Sequence, residues 1–397
     1  MNATLQWLKS IPELQESLFK YSGSSTSLGT SSSDGYAVQQ ARITGSLRDL
    51  YSQMNKTTEG FPPIMFLQTL RSVFPQFAQK TNEGYYSQQD AEECWSQIVN
   101  SLRASLKGTG EQLSFVDKFM VGKLLSRTTC DEEEAKEEPV ESSSEFVKLD
   151  CHIDITTNFM RDGILAALTE TIEKHSPSLG RDAKYTKTSR VSRLPKYLTV
   201  HFVRFFWRRD VNKKTKIMRK VKFPMELDAT EFCTDDLRNI LIPIRDKLRE
   251  YTKTKEDIER SAKRRHLESK VTDEDVMKVD DPKAEGGKTE EEKSSKNEVE
   301  TTITVESVTE LIPKSLVDDE GANKSGLYDL AGVLTHSGAS ANSGHWQAWI
   351  KQPDGDKWWQ FNDDKIREHD SIKISTLEGG GESDSAYLLL YKARDIK

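Results

Sequence analysis

The sequence predicts an α+β protein whose sheet is interrupted by a long polar insertion. Three observations lead there. Apolar residues recur at helical spacing through roughly the first 105 residues. Runs rich in β-branched and aromatic residues dominate from about residue 119 onward. Between Tyr251 and Tyr328 there is no aromatic residue, and Lys, Glu, Ser and Asp take over.

The first helical pattern runs from Leu5 to about Tyr21 through Leu8, Leu14 and Leu18, with Pro12 marking a break or a second start. A Ser/Gly loop follows at 22–35. Helical spacing returns in "ARITGSLRDLYSQM", in "PPIMFLQTLRSVFPQF" and in "SQQDAEECWSQIVNSL". In the last, Ala91, Cys94, Trp95, Ile98, Val99 and Leu102 form one apolar stripe. Strands are expected in "FMVGKLLSRTTC", "FVKLDCHID" and "KYLTVHFVRFFW", with an acidic, poorly folding tip at 131–145 between the first two. The charged stretch that follows Tyr251 cannot bury enough apolar area to offset its ordering entropy, so most of it is expected to be disordered. Strands resume in "LYDLAGVLTHSG", "HWQAWIK", "KWWQF" and "AYLLLYK".

Composition excludes several classes. A net charge of −7 argues against nucleic acid as a partner, and "KRRH" at 263–266 is too short and too diluted by acids to reverse that. No run approaches the ~18 apolar residues that a membrane span needs. The opening "MNATLQWLKS" has no basic and apolar signal pattern. The cysteines, Cys94, Cys130, Cys151 and Cys233, make no CxxC pair, a pattern of a reducing compartment such as the cytoplasm or nucleus.

The chemistry-bearing stretch is "NSGHWQAWI". His345 follows a small Ser-Gly pair and opens an aromatic strand, and "HWQAWIKQPDGDKWWQFNDD" reads as a hairpin around "PDG". A turn centred near Asp354 sets His345 across from Asn362 or Asp363, and strand alternation lets only one of these share its face. Either would orient an imidazole by accepting its ring N–H. The bland alternative is an edge histidine beside a polar hairpin end. A base needs a nucleophile, and none of the four thiols fits: Cys94 sits on the packing stripe, and the other three have acidic neighbours.

Together "MNATLQWLKSIPEL", "FPQFAQK", "QQDAEECW", "SRLPKYLTVHFVRFFW", "KFPMELD", "YDLAGVLTHSG", "SGHW" and "WWQFNDDKI" resemble the ubiquitin-specific proteases, and within them the proteasome-associated branch. The resemblance implies a papain-like thiol protease fold with a helical thumb and an antiparallel-sheet palm and fingers. It divides the chain into a thumb at 1–110, fingers and palm strands at 111–250, the insertion at 251–320 and palm strands with the histidine at 321–397. It makes His345 the base, Asn362 the orienting residue and Asp363 an accessory polar residue, with Trp346 in place of the usual Tyr.

The nucleophile implied by the resemblance lies two residues before Met1, ahead of a helix that Asn2 or Thr4 would cap. The resemblance also gives Asp90 and Glu93 as partners of arginines in the ubiquitin tail, although i, i+3 carboxylates are ordinarily just a solvated helix face. Phe206 and Tyr387 would line the tail channel, although core packing is the ordinary role of each. The loop "GASANSG" at 338–344 resembles one that blocks the cleft before activation. No cofactor is implied. Many relatives hold zinc with paired CxxC motifs at the fingertips, but here only Cys130 and Cys151 fall in that region, so no metal is expected. The partners implied are ubiquitin, ubiquitinated proteins and the proteasome regulatory particle. The alternative is a catalytically inactive ubiquitin-binding module.

Overall fold

The computed structural model describes residues 1–23, 35–107, 113–208, 213–275, 304–340, 343–353 and 355–396. Six helices form the first unit: α1 (Asn2–Lys9), α2 (Pro12–Lys20), α3 (Gly35–Met54), α4 (Ile64–Val73), α5 (Ala91–Ser105) and α6 (Phe115–Phe119). Pro12 begins α2, where its missing N–H costs nothing, so the expected break is a second start. All six residues of the α5 stripe are buried. Trp7 of α1 meets Trp95 of α5 edge-on, with ring centroids 6.3 Å apart, and both rings are fully buried. Each such side chain contributes on the order of 2–3 kcal/mol of burial, so this contact fixes α1 against α5.

A four-stranded antiparallel sheet runs in the order β2 (Val140–Phe146), β1 (Gly122–Cys130), β5 (Arg181–Arg193), β4 (Thr169–Ser176). The larger sheet has ten strands among the described residues. These are β3 (Lys148–His152), β6 (Tyr197–Val203), β7 (Phe205–Arg208), β8 (Lys213–Lys216), β9 (Glu226–Asp228), β10 (Leu327–Ser340), β11 (Ser343–Lys351), β12 (Lys357–Asn362), β13 (Lys365–Asp370) and β14 (Ser385–Ala393). Its main path is β13-β12-β11-β10-β14-β6-β3, antiparallel throughout except for β3 beside β6. The helices α7 (Met160–Ala167), α8 (Asp235–Asp275), α9 (Val305–Thr309), α10 (Lys314–Asp318) and α11 (Ser371–Ile374) complete the α+β fold. No described helix is long and apolar enough to cross a membrane.

Two segments differ from expectation. The acidic tip at 131–145 folds, since its second half is strand β2, paired with β1 from Gly122–Phe146 to Thr128–Val140. Its charge is taken up locally: Glu132 pairs with Arg181, and the Glu137 carboxylate accepts from Ser176 at 2.6 Å, Tyr185 at 2.6 Å and Ser178 at 2.9 Å. Helix α8 continues beyond Tyr251 to Asp275. Polarity denies that stretch a core but not a helix, because Lys, Glu and Arg are good helix formers and Arg260 pairs with Glu256 one turn away at 3.2 Å. After it, Val308 of α9 is buried with Ile244, Leu248 and Leu327. The expected disorder between 276 and 303 lies outside the described residues.

Candidate active site

His345 lies near the start of β11, and its Nε2 is 2.6 Å from Asn362 Oδ1 at the end of β12. With a carbonyl oxygen as acceptor, the proton sits on Nε2 and leaves the Nδ1 lone pair free to take a proton. The hairpin register differs from both expected ones: Ala348 faces Phe361 and Lys351 faces Trp358. The closing bond, from Gln352 N–H to Lys357 O, and Gly355 at φ 92° set the turn further along than a centre at Asp354. On this register Asn362 shares the face of His345 diagonally, just past the last paired residues. Asp363 instead enters the two-residue turn to β13 at φ 51°, a left-handed position that Asp tolerates. Its Oδ2 is still 3.9 Å from His345 Nε2.

The other oxygen of Asp363 accepts from Asn2 Nδ2 at 3.3 Å, so the N-terminal end of α1 lies beside the imidazole. Neither Asn2 nor Thr4 caps that helix, contrary to expectation. Met1 is the cap residue without a side-chain bond, Asn2 is turned to Asp363, and the Thr4 hydroxyl reaches Ala91 O at 3.5 Å.

Asp90 lies just outside the helix that carries Glu93. It precedes α5 as the cap, its Oδ1 accepting from Glu92 N–H at 2.9 Å and from the Tyr387 hydroxyl at 2.9 Å. Glu93 is half-buried in the first turn of α5. Tyr387 is buried, and burial, with Asp90 next, pushes its hydroxyl pKa up. Its ring stands 4.9 Å from Trp346, 5.0 Å from His201 and 5.3 Å from Phe205. Phe206 points the other way and is 44% exposed, so strand alternation gives the inward ring to Phe205.

Sequence reasoning missed Phe205 and His336. His336 is buried between Phe205, at 5.3 Å, and Trp346, at 4.5 Å, with both ring nitrogens unpaired among the described residues. Burial, with Lys216 next, depresses its pKa to about 4 and keeps it neutral. The Lys216 ammonium donates to its backbone carbonyl at 2.7 Å, and burial lowers that amine to about 8. Alternation alone does not single them out, because their neighbours Arg204 and Thr335 are fully buried too.

Three of the four thiols are sealed in the core. Burial pushes Cys94 up to about 11 and Cys151 and Cys233 up to about 12. Cys130, half-buried, ends β1 in the four-stranded sheet, whereas Cys151 is buried in β3 of the larger sheet. Of the loop 338–344, residues 341 and 342 lie outside the described residues.

The family model for ubiquitin carboxyl-terminal hydrolase matches residues 1–391. Ubiquitin carboxyl-terminal hydrolase 6 of Schizosaccharomyces pombe is 46% identical over 398 residues, covering 100% of this chain and 76% of that protein. The Arabidopsis thaliana protein of the same name is 39% identical over 400 residues, again 100% of this chain and 76% of the relative. Ubiquitin carboxyl-terminal hydrolase 14 of Caenorhabditis elegans is 32% identical over 358 residues, 90% of this chain and 64% of the relative. The chain therefore belongs to the ubiquitin-specific protease family of ubiquitin carboxyl-terminal hydrolases, deubiquitinating enzymes with the α+β, papain-like fold seen here.

Proposed function

We propose that this chain is the catalytic part of a thiol protease that cleaves the peptide or isopeptide bond after the C-terminal glycine of ubiquitin. His345 takes the thiol proton on Nδ1, Asn362 holds the tautomer, and Asp363 supports the imidazolium. The thiolate attacks the glycine carbonyl, His345 returns the proton to the departing amine, and water then releases ubiquitin from the acyl-enzyme. Asp90 and Glu93 pair with arginines of the ubiquitin tail, and Tyr387, with Phe205 rather than Phe206 against its ring, lines its path. The thiol belongs at the N-terminal end of α1, where Asn2 meets Asp363.

One observation carries this reading: the 2.6 Å His345–Asn362 bond stands beside the N-terminal end of α1, where free N–H groups and the helix dipole would favour a thiolate. The test is turnover of a ubiquitin–fluorophore conjugate by a version extended upstream through a Cys-Tyr pair. Turnover that is lost with His345→Ala supports the reading, and no turnover refutes it. Association with the proteasome regulatory particle is part of the proposal, supported by motif resemblance, and co-sedimentation of the extended protein with purified proteasomes tests it. A second reading, a ubiquitin-binding module without catalysis, draws on the three sealed thiols. Ubiquitin binding without turnover in the extended protein would favour it.

A further inference from the structure

The Gly344 carbonyl belongs to the same peptide plane as the His345 nitrogen, so whatever holds that oxygen also fixes the direction in which His345 projects its ring. The strand ladder does not hold it. Pairing of β10 with β11 ends at Ser337–His345 and resumes only at Ser340–Ser343, with a register shift between. The Gly344 oxygen is taken instead by Gln88 Nε2, which donates at 2.8 Å from the helical unit. On the other side, Gly344 has φ 149°, and a Cβ there would meet Ser337 O at 2.2 Å and His336 Nε2 at 2.4 Å.

The arm that carries Gln88 is itself pinned. Lys80 bridges Tyr86, Thr81 N–H bonds Tyr85 O at 2.7 Å, and Ser87 N–H bonds Gln79 O at 2.9 Å. The Arg71 guanidinium of α4 lies 3.5 Å from the centre of the Tyr86 ring. Two residues beyond Gln88, Asp90 locks the start of α5. A donor held at both ends of its arm therefore meets a carbonyl that the sheet leaves unclaimed.

We infer that Gln88 is a positioning residue for His345: its carboxamide fixes the Gly344–His345 peptide so that the imidazole Nε2–H meets Asn362. The kinetic half of this inference rests on the protease reading above, and the spectroscopic half does not. Gln88→Glu keeps the shape and loses the donor, and Gln88→Met loses the donor without adding charge. In 15N-labelled protein, ring-nitrogen shifts near neutral pH report the His345 tautomer. The wild type is expected to hold Nε2–H, and both variants to raise the minor tautomer several-fold at an unchanged melting temperature.

In the upstream-extended enzyme both variants are expected to lower kcat roughly tenfold with KM moved less than about twofold, the mark of misaligned chemistry with intact binding. An unchanged tautomer in both variants, or a change in KM alone, overturns the inference. If the extended parent shows no turnover, the protease reading falls, and the tautomer measurement still decides the role of Gln88.

Discussion

Asn2 and Asp363 are 361 positions apart in the sequence, yet the carboxamide of one donates to the carboxylate of the other at 3.3 Å. The bond is exposed and contributes little energy. Its importance is geometric, because the second oxygen of Asp363 stands 3.9 Å from His345 Nε2. The first turn of α1, the β12–β13 turn and the imidazole are therefore one neighbourhood, built from both ends of the sequence.

Removing the orienting group should stop the chemistry before it harms the fold. Asn362→Ala is expected to lower kcat by about two orders of magnitude or more in the extended enzyme, because the imidazole loses the acceptor that selects its tautomer. Asp363→Ala, which removes only a 3.9 Å neighbour, should cost less. Steady-state kinetics with a ubiquitin–fluorophore conjugate ranks the two.

Gly344→Ala should fail twice. The new methyl would lie 2.2 Å from Ser337 O on a backbone at φ 149°. We expect a loss of roughly 1–3 kcal/mol of stability and a displaced His345. Urea denaturation followed by the His345 ring-nitrogen shifts reads both effects.

Asp90 separates stability from recognition. Asp90→Ala removes a helix cap, about 1 kcal/mol, and strands the buried Tyr387 hydroxyl, about 1–3 kcal/mol more. Asp90→Asn keeps an acceptor oxygen for both partners and loses only the charge. Thermal denaturation should find the Asn form near wild type, while titration with ubiquitin should find its affinity lowered.

Glu137 makes the tip of the four-stranded sheet sensitive to acid. Hydrogen bonds from Ser176, then Tyr185, hold its carboxyl down to about 2. An unfolded glutamate titrates near about 4.3, so its contribution is whole above that pH and drains away as the pH falls toward 2. Glu137→Gln should abolish this dependence. Hydrogen exchange at the tip joining β4 and β5, compared at neutral and acid pH, is the measurement.

His336 acts on the same side of neutrality for the opposite chemical reason. The folded ring stays neutral to about 4, whereas an unfolded histidine takes a proton near about 6.5. Across that window the unfolded chain binds more protons, so stability rises with pH and falls on acidification. Lys216, Asp90 and His345 are the charged or titratable groups that act on it. His336→Phe should flatten the slope between the two values, read from urea midpoints taken across that range.

Much of the framework was legible because it rests on periodicity. The α5 stripe and the aromatic hairpin follow from residue spacing alone, and the hairpin brought His345 near Asn362 or Asp363 without deciding between them. The register was not legible, because one glycine at Gly355 shifts the turn centre and propensity does not weigh that choice. The cap role of Asp90 was hidden by reading it as part of the helix face. Phe205 was confused with its neighbour Phe206 because adjacent aromatics differ only in which side of the sheet they face. The acidic tip folds because Arg181, Ser176, Ser178 and Tyr185, distant in sequence, supply its partners. Local composition contains no trace of them.

The burial of Cys94, Cys151 and Cys233 has a practical consequence. Soft electrophiles react with exposed thiolates, and burial raises all three of these thiols to about 11 or 12. Apart from the half-buried Cys130, the folded domain is therefore a quiet background for covalent labelling. A ubiquitin probe bearing an electrophilic warhead would report a sulfur introduced ahead of α1 with little competition from these three.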